Sequence, residues 1–448
     1  MSEKRYWDET IETLPRPQLI EYQTEQLRKH LELAWAQSPF YRQAFSAAKV
    51  KPSDLRRLED LQRFPFIDKT IERDRQVARP FLGDLTAVAE EEVVFVAASS
   101  GSTGVPTLSP FTKEDFEEFQ DVQARLFWGT GMRRHDRYVH ALNFTLFVGG
   151  PDVIGAQKLG ALCIWAGSIP SERLLFIMKN FQPTTTWTTP SYAWYLGETA
   201  KQQGIDPARD LGIRRIIVAG EPGGSIPATR AAIETLWNAQ LYDFYGISDI
   251  FGACAGMCPV RDGLHLAEDH ILIEVIDPAN GEPLQGETPG EMVLTTLRKR
   301  ARPMIRFRTG DIIQRYPDGC SCGRTHVRFK VLGRRDDMFI VSGVNVFPSD
   351  IEYVARNVPG LTGEYRVVVY TENHLTRFDV EVERSGDFQG ADEDVADEVK
   401  KQIATRLGVR PRQVKVLAAG ALPRATHKAK RLLDLRGNEA TSSRGENI

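Results

Sequence analysis

The chain of 448 residues has five cysteines, no apolar run of membrane-spanning length and almost no excess of charge. Each shortage excludes something. Five thiols cannot make a disulfide scaffold in so long a chain, and reduced thiols suit a cytoplasmic protein. Without about 20 consecutive apolar residues, no membrane helix is expected. The opening MSEKRYWDET is polar and acidic, unlike a signal peptide. A net charge of −3 gives no electrostatic case for nucleic acid or an anionic membrane as partner. No internal repeat and no long low-complexity tract is present. The length exceeds what one hydrophobic core supports, so two or three domains are expected.

What is present has a clear order. Residues 1–90 read as helical with proline-marked breaks; QLIEYQTEQLRKHLELAWAQ sets Leu19, Tyr22, Leu27, Leu31 and Ala34 at roughly helical spacing. From 91 to about 220, the apolar runs VVFVAA, DRYVHALN, ALCIWAG, TTTWTTP and IRRIIVAG alternate with helical patterns such as SERLLFIMKNF and SYAWYLGETAKQQG. That alternation predicts helices layered on a sheet, an α/β fold. Strand signals crowd together from 264 to 315. Near the end, RVVVY, RFDVEVE and QVKVLAA surround a helix, DEDVADEVKKQIATRLG, whose Val395, Val399, Ile403 and Leu407 are four apart and whose stop is Gly408. These make a small α+β unit. The last dozen residues read as loose.

Five stretches carry chemistry. In VVFVAASSGSTGVPTLSPFTKEDF a buried strand leads into Ser99, Ser100, Gly101, Ser102, Thr103 and Gly104. Hydroxyls and closely approachable backbone N–H groups make a nest suited to phosphate oxygens. The lysine ending of a Walker loop is missing, and the loop by itself reads first as a solvent-exposed turn. YGISD (245–249), IRFRTGD (305–311), GRRDDMFIVSGVNVFPSDIE (333–352) and LPRATHKAKR (422–431) follow in that order. Singly these read as a strand end, a hairpin turn, a surface charge run and a solvated tail.

Together the five resemble the ANL superfamily of adenylate-forming enzymes, and the wording of the third and fourth later stretches, with GLHLAEDHILIEVIDP and CSCGRTHVR, is similar to the phenylacetate–CoA ligase branch. The resemblance runs from about Trp7 to about Asp434. It implies a large N-terminal adenylation domain, 1–335, of layered sheets and helices with a helical segment over 1–90. A small mobile α+β C-terminal domain, 336–448, follows. It also implies a two-step reaction. A carboxylate attacks the α-phosphorus of ATP to give acyl-AMP and pyrophosphate, and the thiol of coenzyme A then displaces AMP.

By the same resemblance, Ser99–Gly104 hold the β- and γ-phosphates, with Val105 where a lysine often stands. Asp249 holds Mg²⁺, although most relatives have Glu there. Tyr245 and Gly246 pack against adenine, with Gly220, Glu221 and Pro222 of AGEP as the other wall. Asp311 takes the ribose hydroxyls, and Arg334 approaches the ribose or phosphate. Lys428 bridges the attacking carboxylate and the α-phosphate, with Lys430 as local competitor. Asp336 is the pivot of a domain rotation, and Gly343, Val344 and Asn345 line the pantetheine channel.

Cys258, His265, Cys320 and Cys322 have the chemistry of a closed tetrahedral Zn²⁺ site, in the spacing C-x6-H…C-x-C. Unconnected cysteines are the alternative. Some phenylacetate–CoA ligase relatives carry Cys and His at matching places. Cys254 is the rival ligand should His265 point elsewhere, and Cys163 reads as a buried strand residue. The acyl pocket is assigned to Phe144, Phe147, Gly149, Asp152, Ala219 and Gly246. Asp152 or Thr145 would meet a substrate hydroxyl or amino group, or cap a loop facing water. An aromatic acid and a small hydroxy acid both remain open, with the balance toward the aromatic. Two other readings stand beside the ligase: acyl-AMP transfer to an amine or carrier-protein thiol, and a non-catalytic nucleotide-binding protein. A homodimer is the expectation from relatives.

Overall fold

Strands form where β-branched and aromatic residues cluster, and what each strand pairs with decides which layer it joins. A computed structural model describes residues 4–99, 106–142, 149–167, 169–341, 344–372, 375–386, 388–424 and 431–436, the side chain of Asn345 excepted. Strands β1 (Val93–Ala98) and β2 (Leu108–Thr112) form a separate antiparallel hairpin. The first of them is not the buried strand its VVFVAA sequence predicts. Val94 is 61% exposed and only Ala97 and Ala98 are buried. A two-stranded ribbon has one face to bury, so half its apolar residues stay outside.

The alternating region does build a layered sheet. Strands β3 (Arg137–His140), β4 (Leu162–Trp165), β5 (Thr185–Thr188), β6 (Arg215–Val218) and β7 (Gln240–Ile247) run parallel in the order β4-β3-β5-β6-β7. Helices Asp152–Leu159, Ser171–Phe181, Pro190–Gln202 and Pro227–Trp237 punctuate them. Strands β8 (Gly252–Met257), β9 (Leu264–Leu266), β10 (Ile271–Ile276), β11 (Gly290–Thr296), β12 (Phe307–Arg315) and β13 (Arg328–Arg334) extend the same sheet in antiparallel fashion. It has eleven strands, continuing from β7 as β8-β9-β13-β12-β11-β10. The junction between β7 and β8 is where the candidate site lies.

The N-terminal residues are helical as expected, with the long helix Arg16–Gln37 burying Leu19, Leu27, Leu31 and Ala34. They share one core with the antiparallel half of the sheet. A second cluster lies under the helices of the parallel half.

From Phe339 onward the chain builds its own core. Strands β14 (Phe339–Val341) and β15 (Val344–Val346) form a hairpin. Strands β16 (Leu361–Glu372), β17 (Leu375–Arg384), β18 (Val414–Leu417) and β19 (Leu432–Asp434) form a sheet in the order β18-β17-β16-β19. Helix Asp392–Leu407 buries Val395, Val399 and Ile403, and it stops at Gly408, whose φ of +72° is easy only for glycine. No described helix is long and apolar enough to cross a membrane.

Candidate functional site

The hydroxyl- and glycine-rich loop springs from the tip of the β1–β2 hairpin. Its residues Ser100–Val105 lie outside the described residues, but both stems are defined. Ser99 N–H donates to Thr107 O at 3.0 Å. Thr107 N–H donates back to Ser99 Oγ at 3.1 Å, and the two side-chain oxygens are 3.0 Å apart. Thr107 Oγ1 also donates to Asp249 Oδ1 at 2.9 Å. The carboxylate that follows β7 therefore stands at the foot of the loop.

A lysine that sequence reasoning did not single out stands there too. Lys69 Nζ donates to Asp249 Oδ1 at 2.5 Å and to Thr107 Oγ1, with Glu72 Oε2 3.5 Å away. It is the first residue of helix Lys69–Ala78, capped by Asp68 through Thr70 and Ile71 N–H. The preceding Ile67 is tied to the start of β12 by two backbone hydrogen bonds, to Arg306 and Arg308. The same helix grips the far stem of the loop, because Gln76 Nε2 donates to Pro106 O at 3.0 Å and Leu108 N–H donates to Gln76 Oε1 at 2.7 Å.

Behind this front is a buried charged layer. Arg302 pairs with Glu72 at 2.5 Å, and Lys299 donates to Ser109 and to Asp249 O. Burial works against the Asp249 carboxylate, yet Lys69 and then Arg302 outweigh it and leave its pKa below the ordinary value. Glu72 has less help. Burial dominates there and pushes its carboxyl up to about 7. Burial, followed by repulsion from Arg302, lowers Lys299 to about 7.

The nucleoside end is built four residues earlier. Tyr245, on β7, donates its hydroxyl to Asp311 Oδ2 at 2.6 Å, and its ring stands edge-on to Phe329. Arg334 Nη1 donates to Asp311 Oδ1 at 3.1 Å, so β7 and β13 together hold both oxygens of this β12 carboxylate. Burial first, and then Asp311, push the Tyr245 phenol well above its ordinary range. Gly246 follows, and a side chain there would meet the β8 backbone, with Ala253 N only 2.5 Å from a Cβ. The opposite wall is the AGEP turn after β6, where Gly220 has φ +92° and Glu221 Oε1 accepts Ser191 N–H at 2.8 Å.

Of the acyl-pocket residues, Phe144 and Phe147, with Thr145, lie outside the described residues. Gly149 and Asp152 are adjacent, at the start of helix Asp152–Leu159. Asp152 does not cap a loop facing water. Its carboxyl is fully buried with neither oxygen hydrogen-bonded among the described residues, and burial raises its pKa well above the ordinary value. Ala219 and Gly246 lie at the ends of β6 and β7.

The cysteines gather as their spacing allows. Cys258, His265, Cys320 and Cys322 bring one donor atom each within 4.8 Å of the others. Cys258 Sγ is 3.8 Å from Cys320 Sγ, and Cys322 Sγ is 3.5 Å from His265 Nε2. A tetrahedral Zn²⁺ at ordinary bond lengths sets sulfurs about 3.8 Å apart and sulfur and nitrogen about 3.6 Å apart. The donor set and the spacing fit zinc. His265 Nδ1 is 3.1 Å from His326 O, which orients the ring from outside the cluster. Cys254 is buried outside the group, and Cys163 is only half-buried, on the edge strand β4.

Downstream, Asp336 is 65% exposed and 3.3 Å from Arg334 Nη2. Val344 and the Asn345 backbone are in β15, while Gly343 lies outside the described residues, as do His427, Lys428 and Lys430. A buried hydrogen bond and a half-buried ring contact join the C-terminal part to the large sheet's helices. Thr229 Oγ1 donates to Glu352 Oε1 at 3.0 Å, and the Arg356 guanidinium stands 4.3 Å over the Trp194 ring.

Family models bear on this geometry. Residues 17–296 match the family described as AMP-binding enzyme, and residues 343–436 match its C-terminal domain. A phenylacetate–coenzyme A ligase of Thermus thermophilus is 37% identical over 447 residues, covering 95% of this chain and 98% of the relative. A crystal structure of 2-hydroxyisobutyryl-CoA ligase in the postadenylation state, with 2-HIB-AMP, superposes with a TM-score of 0.92 at 32% identity, covering 97% of this chain and 93% of that one. In the thioesterification state, with CoA, that ligase superposes at 0.74 over 98% of this chain and 94% of its own. The two parts of this chain are thus arranged as in the former. With a family model over more than half its length and a full-length relative above 30% identity, the chain belongs to the ANL superfamily of adenylate-forming enzymes, in its phenylacetate–coenzyme A ligase-like branch.

Proposed function

We propose that this protein is an AMP-forming acid–CoA ligase that joins an aryl or hydroxy acid to coenzyme A through an acyl-adenylate. One observation carries the reading. Tyr245 with Asp311 and Arg334 at one end, and Asp249 with Thr107 and Ser99 at the other, are set by a single strand-turn, residues 245–249. That is a ribose-binding acceptor and a phosphate-facing hydroxyl group on one line.

The first half-reaction brings two anions together, so donors and cations must neutralise phosphate charge in a site with little water. Asp311 accepts from the ribose hydroxyls. The loop Ser99–Gly104 donates to the β- and γ-phosphates. Mg²⁺ would be held by Asp249 with the Thr107 hydroxyl beside it, a hard-oxygen set that fits the ion, and would supply positive charge against the phosphates. Lys428 is the cation for the attacking carboxylate and the α-phosphate. Residues 1–335 are the adenylation domain and 336–448 the mobile one, pivoting at Asp336, with Gly343, Val344 and Asn345 along the pantetheine path.

Phe144, Phe147, Gly149, Asp152, Ala219 and Gly246 enclose the acid. Asp152, kept neutral by burial, supports an acid bearing a hydroxyl or amino group that can share its proton. Zn²⁺ in the Cys258–His265–Cys320–Cys322 cluster is structural, since four protein donors leave no open position. The low cysteine count supports a cytoplasmic location.

The test is exchange of labelled pyrophosphate into ATP, dependent on added acid, across a panel of aryl and hydroxy acids. Lys428→Ala should abolish exchange and leave ATP binding largely intact. Acceleration of AMP release by an amine rather than by CoA would assign the acceptor differently.

A further inference from the structure

The loop that would grip the phosphates brings no cation of its own, because Val105 follows its last glycine. The structure puts one at its foot from another element. Lys69 Nζ has three N–H donors, of which two go to Asp249 Oδ1 and Thr107 Oγ1. The third has no hydrogen-bond acceptor among the described residues; Glu72 is in ion-pair range only, at 3.5 Å. Its neighbours are sealed in, with Thr107 1%, Glu72 1% and Asp249 3% exposed, but the Lys69 side chain is 40% exposed. The ammonium therefore forms the open face of a buried polar cluster.

Behind the ammonium, Lys299 and Arg302 face the buried carboxylates Asp249, Glu72 and Asp115, so the inner charges are matched and Lys69 is the cation of the cluster that is open to a ligand. The position is also held. Ile67 is pinned to β12, and Gln76, two turns along the same helix, bonds the loop's second stem at Pro106 and Leu108. The helix that carries Lys69 is thus bonded directly to the stem at Pro106 and Leu108.

We propose that Lys69 is a phosphate-binding residue that contacts the β- and γ-phosphates of ATP and the pyrophosphate that leaves, the charge the loop itself lacks. This rests on the adenylation reading above. Lys69 neither forms nor breaks a bond. It binds pyrophosphate oxygen through a charge-assisted hydrogen bond, which is worth most at the terminal phosphates and nothing to AMP.

The experiment measures binding of ATP, AMP and inorganic pyrophosphate, with Mg²⁺, to the full chain and to Lys69→Ala, Lys69→Gln and Lys69→Arg by equilibrium dialysis. Both neutral variants should lose about 10- to 100-fold in pyrophosphate and ATP affinity. AMP affinity should stay within about threefold, and Lys69→Arg should restore most of the loss. Melting midpoints identify any variant that fails to fold, and the two neutral side chains differ enough in size to guard against that. Pyrophosphate affinity unchanged in the neutral variants, or AMP weakened as much as ATP, overturns the proposal. Wild-type chain that binds ATP and AMP but not pyrophosphate also overturns it, while wild-type chain that binds no nucleotide at all fails the adenylation reading first.

Discussion

Substituting Thr229 by Val should slow one half-reaction and spare the other. Thr229 sits on helix Pro227–Trp237 and donates to Glu352 Oε1 at 3.0 Å, with both residues buried. Valine keeps the shape and removes the hydroxyl. A hydrogen bond to a charged acceptor contributes about 1.5–3 kcal/mol. Glu352 retains Tyr365 Oη at 3.3 Å and Arg356 Nε at 3.7 Å, so the lower figure applies. About 1.5 kcal/mol corresponds to a roughly tenfold shift between domain arrangements. The contact belongs to the arrangement that matches the postadenylation state of the neighbouring ligase. In the proposed rotation of the C-terminal part, Glu352 would regain water and nothing would be lost. Acid-dependent pyrophosphate exchange should therefore fall by up to about tenfold in Thr229→Val. Conversion of a pre-formed acyl-adenylate to acyl-CoA should hold or rise. Equal losses in both assays, or exchange at the wild-type rate, would refute the reasoning that this contact latches the domain for adenylation.

Three further outcomes are expected. Purified protein should carry about one zinc per chain by elemental analysis; Cys322→Ser should lose it and melt lower, whereas Cys254→Ala should keep it, since Cys254 lies outside the cluster. Gly246→Ala should cost about 1–3 kcal/mol of stability and abolish ATP binding, because its Cβ meets β8 backbone that cannot yield like a flexible side chain; a melting curve and a binding isotherm check both. His30 is buried against Thr296 with its pKa lowered to about 3, by burial first and then by Lys299. Its folded pKa lies below the unfolded value, so the stability it confers is present above about pH 6.5 and is lost as pH falls, amounting to about 2 kcal/mol at pH 5. Denaturant midpoints of wild type and His30→Gln should therefore converge between pH 7 and pH 5.

Layers and helices were legible because their signals are periodic and local. The parallel strands each occupy one apolar run, and Gly408 ends its helix where the spacing predicts. The Cys258–His265–Cys320–Cys322 group was legible from donor chemistry, which few other residues can imitate. Val93–Ala98 was misread as buried because composition reports how apolar a strand is and not whether a second layer covers it. Asp152 was left between two surroundings, water and a pocket, since one carboxylate after Pro151 looks the same in both.

Lys69 shows where reading along the chain stops. Its contacts with Thr107 and Asp249 span 38 and 180 residues. Its own surroundings, FPFIDKTIERD, offer only a helix start: Asp68 as cap and a charged first turn that reads as solvated surface. What lifts it from surface to site is that the Ile67 backbone joins β12 and the Gln76 side-chain amide clasps the loop stem, both of them bonds to backbone far away in sequence. Neither pairing leaves a mark in local composition, because a backbone hydrogen bond is indifferent to the partner's side chain. The residue types that announce chemistry were found by type. Those whose chemistry comes from position could only be found after the fold had brought hairpin, helix and strand end together.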